Sequence, residues 1–263
     1  MEIKTYEQHY NQCKKAYIRQ SSADIEDISV EVDFCKNIDL NLINQIDLKI
    51  LKKLENNTDT SDTRWSRHIT SWHDIEEIEE LCQIVMPEIE EKYFGCYLKV
   101  EHLHIYQNKT NIPLESSWQW HYDDCPKEFV KFAIYVNDVG EESGAMQVLK
   151  SSDSFPVLES FRTSPDSPKG YPPPVFPKSR IPDSFIESAL NKGGEVFSLT
   201  GARGTHFLFT PNVIHRGTEP KKESSPRRAI FFFIRPSLTK QENYSKNAQS
   251  VTSGNNVKRY KLD

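Results

Sequence analysis

The chain has 263 residues, of which 37% are hydrophobic and 27% charged, and a formal net charge of -5. That length suffices for one large domain with a substantial core, and the modest, scattered charge gives no electrostatic footprint for nucleic acid or an anionic membrane. No apolar run is long enough to span a bilayer, and the start Met1-Glu-Ile-Lys-Thr lacks the basic and apolar regions of a secretion signal, so a soluble, cytoplasmic protein is expected. Five cysteines without Cys-x-x-Cys spacing indicate neither a zinc ribbon nor a disulfide framework.

Residues 1–95 read as N-terminal support, with short helical candidates and an extended segment, Ile28 to Phe34, that alternates apolar and polar side chains. From His73, helical spacing places Ile75, Ile78, Leu81, Cys82 and Val85 on one face, with the acids Glu76, Glu77 and Glu80 mainly elsewhere; this helix should back a sheet. From residue 96 the pattern changes to strands: Tyr97 to Gln107, Ser117 to Asp123, Phe129 to Asp138, Ala145 to Leu149, Gly194 to Leu199, His206 to Phe209, Val213 to Arg216 and Arg227 to Arg235. Eight short strands fit a jelly roll. The expected architecture is mainly β with flanking helices (α+β), around a double-stranded β-helix (cupin-like) core at 96–237. A proline-rich insertion at 151–192, with a short helix from Asp183 to Leu190, interrupts that core, and a polar tail covers 238–263. One domain should span the whole of 1–263. So long a connection inside a compact domain is often an active-site cover.

Chemistry concentrates in Trp118-Gln-Trp-His121-Tyr-Asp123, read together with His215. Eight histidines in a chain with 38 acids would produce roughly one His-x-Asp or His-x-Glu by chance, so the pair alone is weak. Its setting adds weight. Among the histidines only His121 has an acid two residues on, and strand side chains alternate, which puts His121 and Asp123 on one face and Tyr122 on the other. Two imidazoles and a carboxylate form the facial triad that suits non-heme Fe(II) and leaves three positions open, so His121, Asp123 and His215 are the expected metal ligands. Oxygen chemistry at such iron needs two further electrons, which a chelating keto acid supplies by oxidative decarboxylation. A keto acid with a second carboxylate calls for a bidentate, permanently charged partner. Arg227 and Arg228 lie just beyond His215, and on a regular strand one of the two faces the pocket.

Other polar and aromatic residues carry plainer expectations. His102 and His104 share a strand face and should be structural rather than a metal pair, and His206 should support the sheet or line the pocket. Trp118, Trp120 and Tyr122 either flank substrate or pack, and Cys125 should pack. Arg203, Arg216 and Arg235 either anchor an anion or form salt bridges.

These segments resemble the phytanoyl-CoA dioxygenase-like branch of the Fe(II)/2-oxoglutarate-dependent oxygenases. The matching elements are Trp120-His121-Tyr-Asp123, Lys131-Phe-Ala-Ile-Tyr-Val-Asn-Asp138, Glu142-Ser-Gly-Ala-Met-Gln-Val-Leu149, Phe209-Thr-Pro-Asn-Val-Ile-His215 and Pro226-Arg-Arg-Ala229, within residues 95–237. The resemblance implies Fe(II) at His121, Asp123 and His215, and 2-oxoglutarate with its distal carboxylate on Arg227. The spacing from His215 is one residue longer than usual, which keeps Arg228 as an alternative. Asn108 is implied as a contact to the inner carboxylate. Related halogenases have a small residue where Asp123 stands, so hydroxylation is implied over halogenation.

The implied activity is a dioxygenase that hydroxylates, or otherwise oxidises a C-H bond of, a small soluble metabolite, using O2 and 2-oxoglutarate and releasing succinate and CO2. A non-catalytic jelly-roll binding protein and an oxygenase acting on protein or nucleic acid are the competing readings. The intact triad speaks against the first, and the lack of a basic docking groove against the second.

Overall fold

The computed structural model describes residues 5–18, 23, 30–111, 116–123, 125–164, 179–221 and 226–250. Its helices are α1 (Tyr6–Ala16), α2 (Leu40–Asn56), α3 (Glu76–Ile89), α4 (Ser151–Thr163) and α5 (Asp183–Asn191). The strands are β1 (Val30–Val32), β2 (Thr60–Asp62), β3 (Ser66–Ile69), β4 (Tyr97–Asn108), β5 (Val130–Tyr135), β6 (Met146–Leu149), β7 (Val196–Leu199), β8 (His206–Phe209), β9 (His215–Arg216), β10 (Arg228–Ser237) and β11 (Gln249–Ser250). A large sheet runs β1-β8-β5-β10-β4-β3-β2 with β11 beside β4, and a small one runs β7-β6-β9. The fold is a double-stranded β-helix flanked by helices, as expected.

Alternation along the central strands sorts side chains between two cores. Val130, Phe132, Ile134, Leu208, Ile230, Phe232 and Ile234 face outward and pack with Ile43, Ile46 and Ile50 of α2 and with Ile78, Leu81 and Val85 of α3. Ala133, Tyr135, Phe207, Phe209, Ala229 and Phe231 face inward and meet Met146 and Val148 of the small sheet. Each fully buried branched or aromatic side chain stabilises the fold by roughly 1.5–3 kcal/mol. A third cluster, Trp120, Tyr122, Leu149, Leu158, Phe161 and Ile186, seals the outer face of the small sheet under α4 and α5.

Three expectations need correction. Ser117 to Asp123 is not a regular strand: a 3-10 turn at Ser116–Trp118 precedes isolated bridges at His121. The amides of His121, Tyr122 and Asp123 donate to three separate segments, at His215, Ser179 and Pro211, so no continuous ladder can form. The strand from Val213 shrinks to His215–Arg216, because the Val213 amide closes a turn onto Thr210 beside Pro211, which has no N-H to give. The insertion opens with helix α4, whose Val157, Leu158 and Phe161 recur at helical spacing and enter the third cluster. Its prolines at 165–177, residues 28 and 29 of the extended N-terminal segment and the tail beyond 250 lie outside the described residues. Among the described residues no helix is long and apolar enough to cross a membrane.

Candidate active site

The small sheet is extended past β9 by the two bridges of His121. His121 and His215 exchange both backbone hydrogen bonds, at 3.0 and 2.9 Å, while on its other side His121 opposes Arg180. Directly opposed residues of an antiparallel pair project to the same face, so His215, His121 and Arg180 form a row pointing into the barrel. Asp123, two residues on, is steered to that face by the hydrogen bond from its amide to the Pro211 carbonyl at 2.9 Å.

His121, Asp123 and His215 each present one ligand atom, all within 4.8 Å of one another, an arrangement that could hold a metal ion. The imidazole rings stand 4.2 Å apart, and His215 Nε2 is 3.8 Å from Asp123 Oδ2. Each Nδ1 donates to the carbonyl two residues before it, His121 to Gln119 at 2.9 Å and His215 to Val213 at 2.8 Å. A carbonyl can only accept, so the proton sits on Nδ1 and the Nε2 lone pair is left for a metal. Burial lowers both imidazoles, His121 well below the ordinary value and His215 to about 4, aided by Lys131 and Arg180. The neutral, ligating form is therefore the resting one. For Asp123 burial acts upward, but Lys131, His215 and Arg180 outweigh it and hold the carboxyl below its usual range. Two neutral imidazoles and one carboxylate are the donor set Fe(II) takes with three positions open.

Lys131 has a place that sequence reading missed. It lies on the inner face of β5 between Phe209 and Phe233, its ammonium 5.6 and 4.8 Å from their ring centres. Both Asp123 oxygens are 2.6 Å from the ammonium, but only Oδ1 accepts in good hydrogen-bond geometry, which leaves Oδ2 toward the histidines. A signal existed, since Lys131 is the one charge in Phe129-Val-Lys-Phe-Ala-Ile-Tyr-Val136, a segment buried on both faces. Arg180 had none, because only the tertiary bridge to His121 brings it to the site.

Arg227 precedes β10 and points inward, 2% exposed. Nη2 donates to Tyr106 Oη at 3.1 Å and approaches Asn108, whose amide, turned to satisfy both partners, accepts from Nε and Nη2 at 3.3 Å. Nη1 is buried without a partner, and the described residues supply Arg227 no carboxylate. Burying such a cation is costly unless an anion joins it. Ala133 and Ala229 are among the smallest side chains of the inward-facing cluster beside Arg227. Arg228 faces the opposite way, with Nε and Nη2 at 2.7 and 2.9 Å from the two oxygens of Asp47 on α2. The opposite facing of the two arginines is as expected, and the geometry turns Arg227 inward.

The remaining candidates are structural. His104 bonds to His68 at 2.6 Å rather than pairing with His102, and burial drops His68 to about 4. His206 accepts from the Cys35 amide at 3.1 Å. Trp120 and Tyr122 lie in the outer cluster, covered by Arg216 and Arg162 at 4.4 and 5.4 Å, and Trp118 packs on Gly217. Arg203 and Arg235 pair with Asp47 and Glu101. A cavity of about 610 Å³ between β1, β7 and β8 contains none of the ligands, and a second, of about 310 Å³, opens beside Asn108 and Pro226. The polar groups converge at the triad rather than in the larger, mainly apolar cavity.

No protein-family model matches the sequence. The L-proline trans-4-hydroxylase of Streptomyces griseoviridis is 26% identical over 143 residues, 49% of this chain and 52% of that protein. The chain thus spans about half the length of the curated relative it matches. Among solved structures, the non-heme alpha-ketoglutarate-dependent carbocyclase SnoK from nogalamycin biosynthesis superposes with a TM-score of 0.55 at 11% identity, over 89% of this chain and 87% of that one. The epimerase SnoN, solved with Fe3+, alpha-ketoglutarate and nogalamycin RO, gives 0.54 at 12% identity, over 86% and 83%. EctD from S. alaskensis, solved with 2-oxoglutarate and 5-hydroxyectoine, gives 0.50 at 10% identity, over 79% and 72%. The fold is that of these 2-oxoglutarate-dependent enzymes. The resemblance read from the motifs is borne out at that level, and at these identities the structural likeness is one of fold.

Proposed function

We propose that the protein is an Fe(II)- and 2-oxoglutarate-dependent dioxygenase, a single catalytic domain that oxidises a C-H bond of a small molecule, with hydroxylation as the outcome. The observation that carries this is the occurrence, in one barrel interior, of the His121, Asp123 and His215 ligand set and a buried Arg227 that lacks an anion. His121 and His215 would hold iron through Nε2 and Asp123 through Oδ2. Arg227, with Tyr106 and Asn108 orienting it, would take the distal carboxylate of 2-oxoglutarate through its open Nη1 edge. Iron and 2-oxoglutarate, when bound, supply an oxidant strong enough for a C-H bond, and the co-substrate leaves as succinate and CO2.

The chain's own residues position and protect. The Nδ1 bonds lock the imidazole tautomers, and Lys131 fixes the Asp123 rotamer. The buried aromatic side chains of Phe207, Phe209 and Phe231 on the inner face would keep water from a co-substrate bound there. The relatives act on small molecules, among them L-proline, which supports a small substrate here. A reducing cytoplasm suits both Fe(II) and the five free cysteines.

Anaerobic addition of Fe(II) and 2-oxoglutarate should produce a weak metal-to-ligand charge-transfer band in the visible range. Folded protein that gives no such band would not be this enzyme.

A further inference from the structure

The bond that makes His104 structural uses only one of its ring nitrogens. His104 Nε2 meets His68 Nδ1 at 2.6 Å with the ring planes within 2° of parallel, and His68 Nε2 meets the Ser66 hydroxyl at 2.7 Å. The two nitrogens of an imidazole point away from each other, so Nδ1 of His104 is turned away from His68, and it has no partner among the described residues. Two neutral arrangements satisfy this chain. In one, the Ser66 hydroxyl donates to His68 Nε2, His68 Nδ1 donates to His104 Nε2, and His104 Nδ1 carries a proton. In the other, His104 Nε2 donates to His68 Nδ1, His68 Nε2 donates to Ser66, the Ser66 hydroxyl turns to Thr63 Oγ1 at 3.3 Å, and His104 Nδ1 offers a lone pair. Burial keeps both imidazoles neutral, lowering His68 to about 4 and His104 well below the ordinary value.

Strand register puts His104 on the inner face of the barrel. Successive cross-strand rows of that face are Lys131-Phe233-His102, Ala133-Phe231-His104 and Tyr135-Ala229-Tyr106. His104 is therefore one row from Lys131, which holds Asp123, and one row from Tyr106, which accepts from Arg227. Its ring is 4.8 Å from that of Tyr106, and Lys131 acts on it electrostatically. We propose that His104 is a specificity-determining residue whose Nδ1 hydrogen-bonds the substrate, and that the substrate group it meets is neutral and able both to donate and to accept, a hydroxyl or an amide. This rests on the dioxygenase reading. There, 2-oxoglutarate would run from Arg227 toward the metal with its carboxylates and keto group engaged at the two ends, and the methylenes in its middle offer Nδ1 nothing to bond. His104 is half-buried rather than sealed, which leaves it open to a small molecule. His68 and Ser66 act through His104, as positioning residues that let it donate or accept without taking up charge.

The test uses the full chain loaded anaerobically with Fe(II) and 2-oxoglutarate, and a panel of small alcohols and primary amides, each paired with the analogue in which a methyl group replaces the polar group. Binding is read from displacement of the visible charge-transfer band, and coupled turnover from succinate released above the substrate-free background once O2 is admitted. Alcohols or amides should displace the band and raise succinate release, with their methyl analogues at least about tenfold weaker, a difference of about 1.4 kcal/mol. His104→Phe should erase that preference while 2-oxoglutarate still gives the band at unchanged affinity, and His104→Gln, whose amide also donates and accepts, should restore part of it. A second measurement needs no variant: with Zn(II) in place of Fe(II) and histidine labelled with nitrogen-15, a panel member that binds should shift the His104 Nδ1 resonance and leave His206 unmoved. Methyl analogues that bind as well, no response to any member of the panel, a preference untouched by His104→Phe, a loss of 2-oxoglutarate affinity in that variant, or an unmoved His104 resonance would each overturn the proposal. A wild-type protein without the band removes the underlying dioxygenase reading as well, and so is distinguished from these outcomes.

Discussion

The barrel interior and the helix-covered face of the large sheet are built from alternate residues of the same strands, yet they treat polar groups in opposite ways. Under the helices, charges are closed off: Arg228 grips both oxygens of Asp47, and buried Lys53 is held by Asp59 and Asp74 at 2.7 and 2.9 Å. Inside the barrel they are left open, as at Arg227 Nη1, Asp123 Oδ2 and the two histidine Nε2 atoms. The histidines make the contrast within one residue type. His206 repeats the lock of His121 and His215, its Nδ1 on the carbonyl of Gly204 at 2.9 Å, but its Nε2 is used up by the Cys35 amide. What the second ring nitrogen meets, rather than residue identity, separates the two candidate ligand histidines from His206.

The contrast is sharpest where a ligand histidine is exchanged for a structural one. His215→Ala should lower iron affinity by more than about 100-fold, measured by anaerobic metal titration, with little loss of fold. His206→Ala should bind iron normally but lose about 1–3 kcal/mol of stability in urea, because the Cys35 amide is left buried and unmet. Iron loss in His206→Ala would break the comparison.

The arginines come next. Arg227→Met should abolish the charge-transfer band with 2-oxoglutarate while iron still binds, and should leave metal-free stability within about 1 kcal/mol, since an uncompensated buried charge is removed with the side chain. Arg228→Met should keep the band and cost about 3 kcal/mol, the lower end for a broken buried pair because Arg203 stays 3.6 Å from Asp47. If Arg228→Met alone loses 2-oxoglutarate, the two roles are reversed.

The smallest effect is on pH. His215 and His68 are lowered from 6.5 to about 4 in the fold, so between these values the unfolded chain binds more protons than the native one. Stability from these groups is complete above about 6.5 and lost as pH falls toward about 4. Thermal denaturation of metal-free protein should show Tm falling across that window, and Fe(II) should steepen the dependence, because acid also expels the metal. A flat profile from pH 7 to 4.5 would mean that the histidines are not held neutral.

Much of this was legible in the linear chain because the period of side-chain alternation is a local property. The helix carrying Ile78, Leu81 and Val85, the strand within Phe129 to Asp138, and the opposed facing of Arg227 and Arg228 all follow from backbone geometry that each segment sets for itself. The triad was legible for the same reason at His121 and Asp123, although their segment is bridged rather than laddered. Tertiary structure alone decided the rest. Lys131 meets Asp123, Arg180 meets His121, and Tyr106 meets Arg227 across separations of 8, 59 and 121 residues. The sequence by itself determined which atoms can bind a metal and an anion. Which of them are left unsatisfied, and so free to do so, depends on what long-range pairing places beside them.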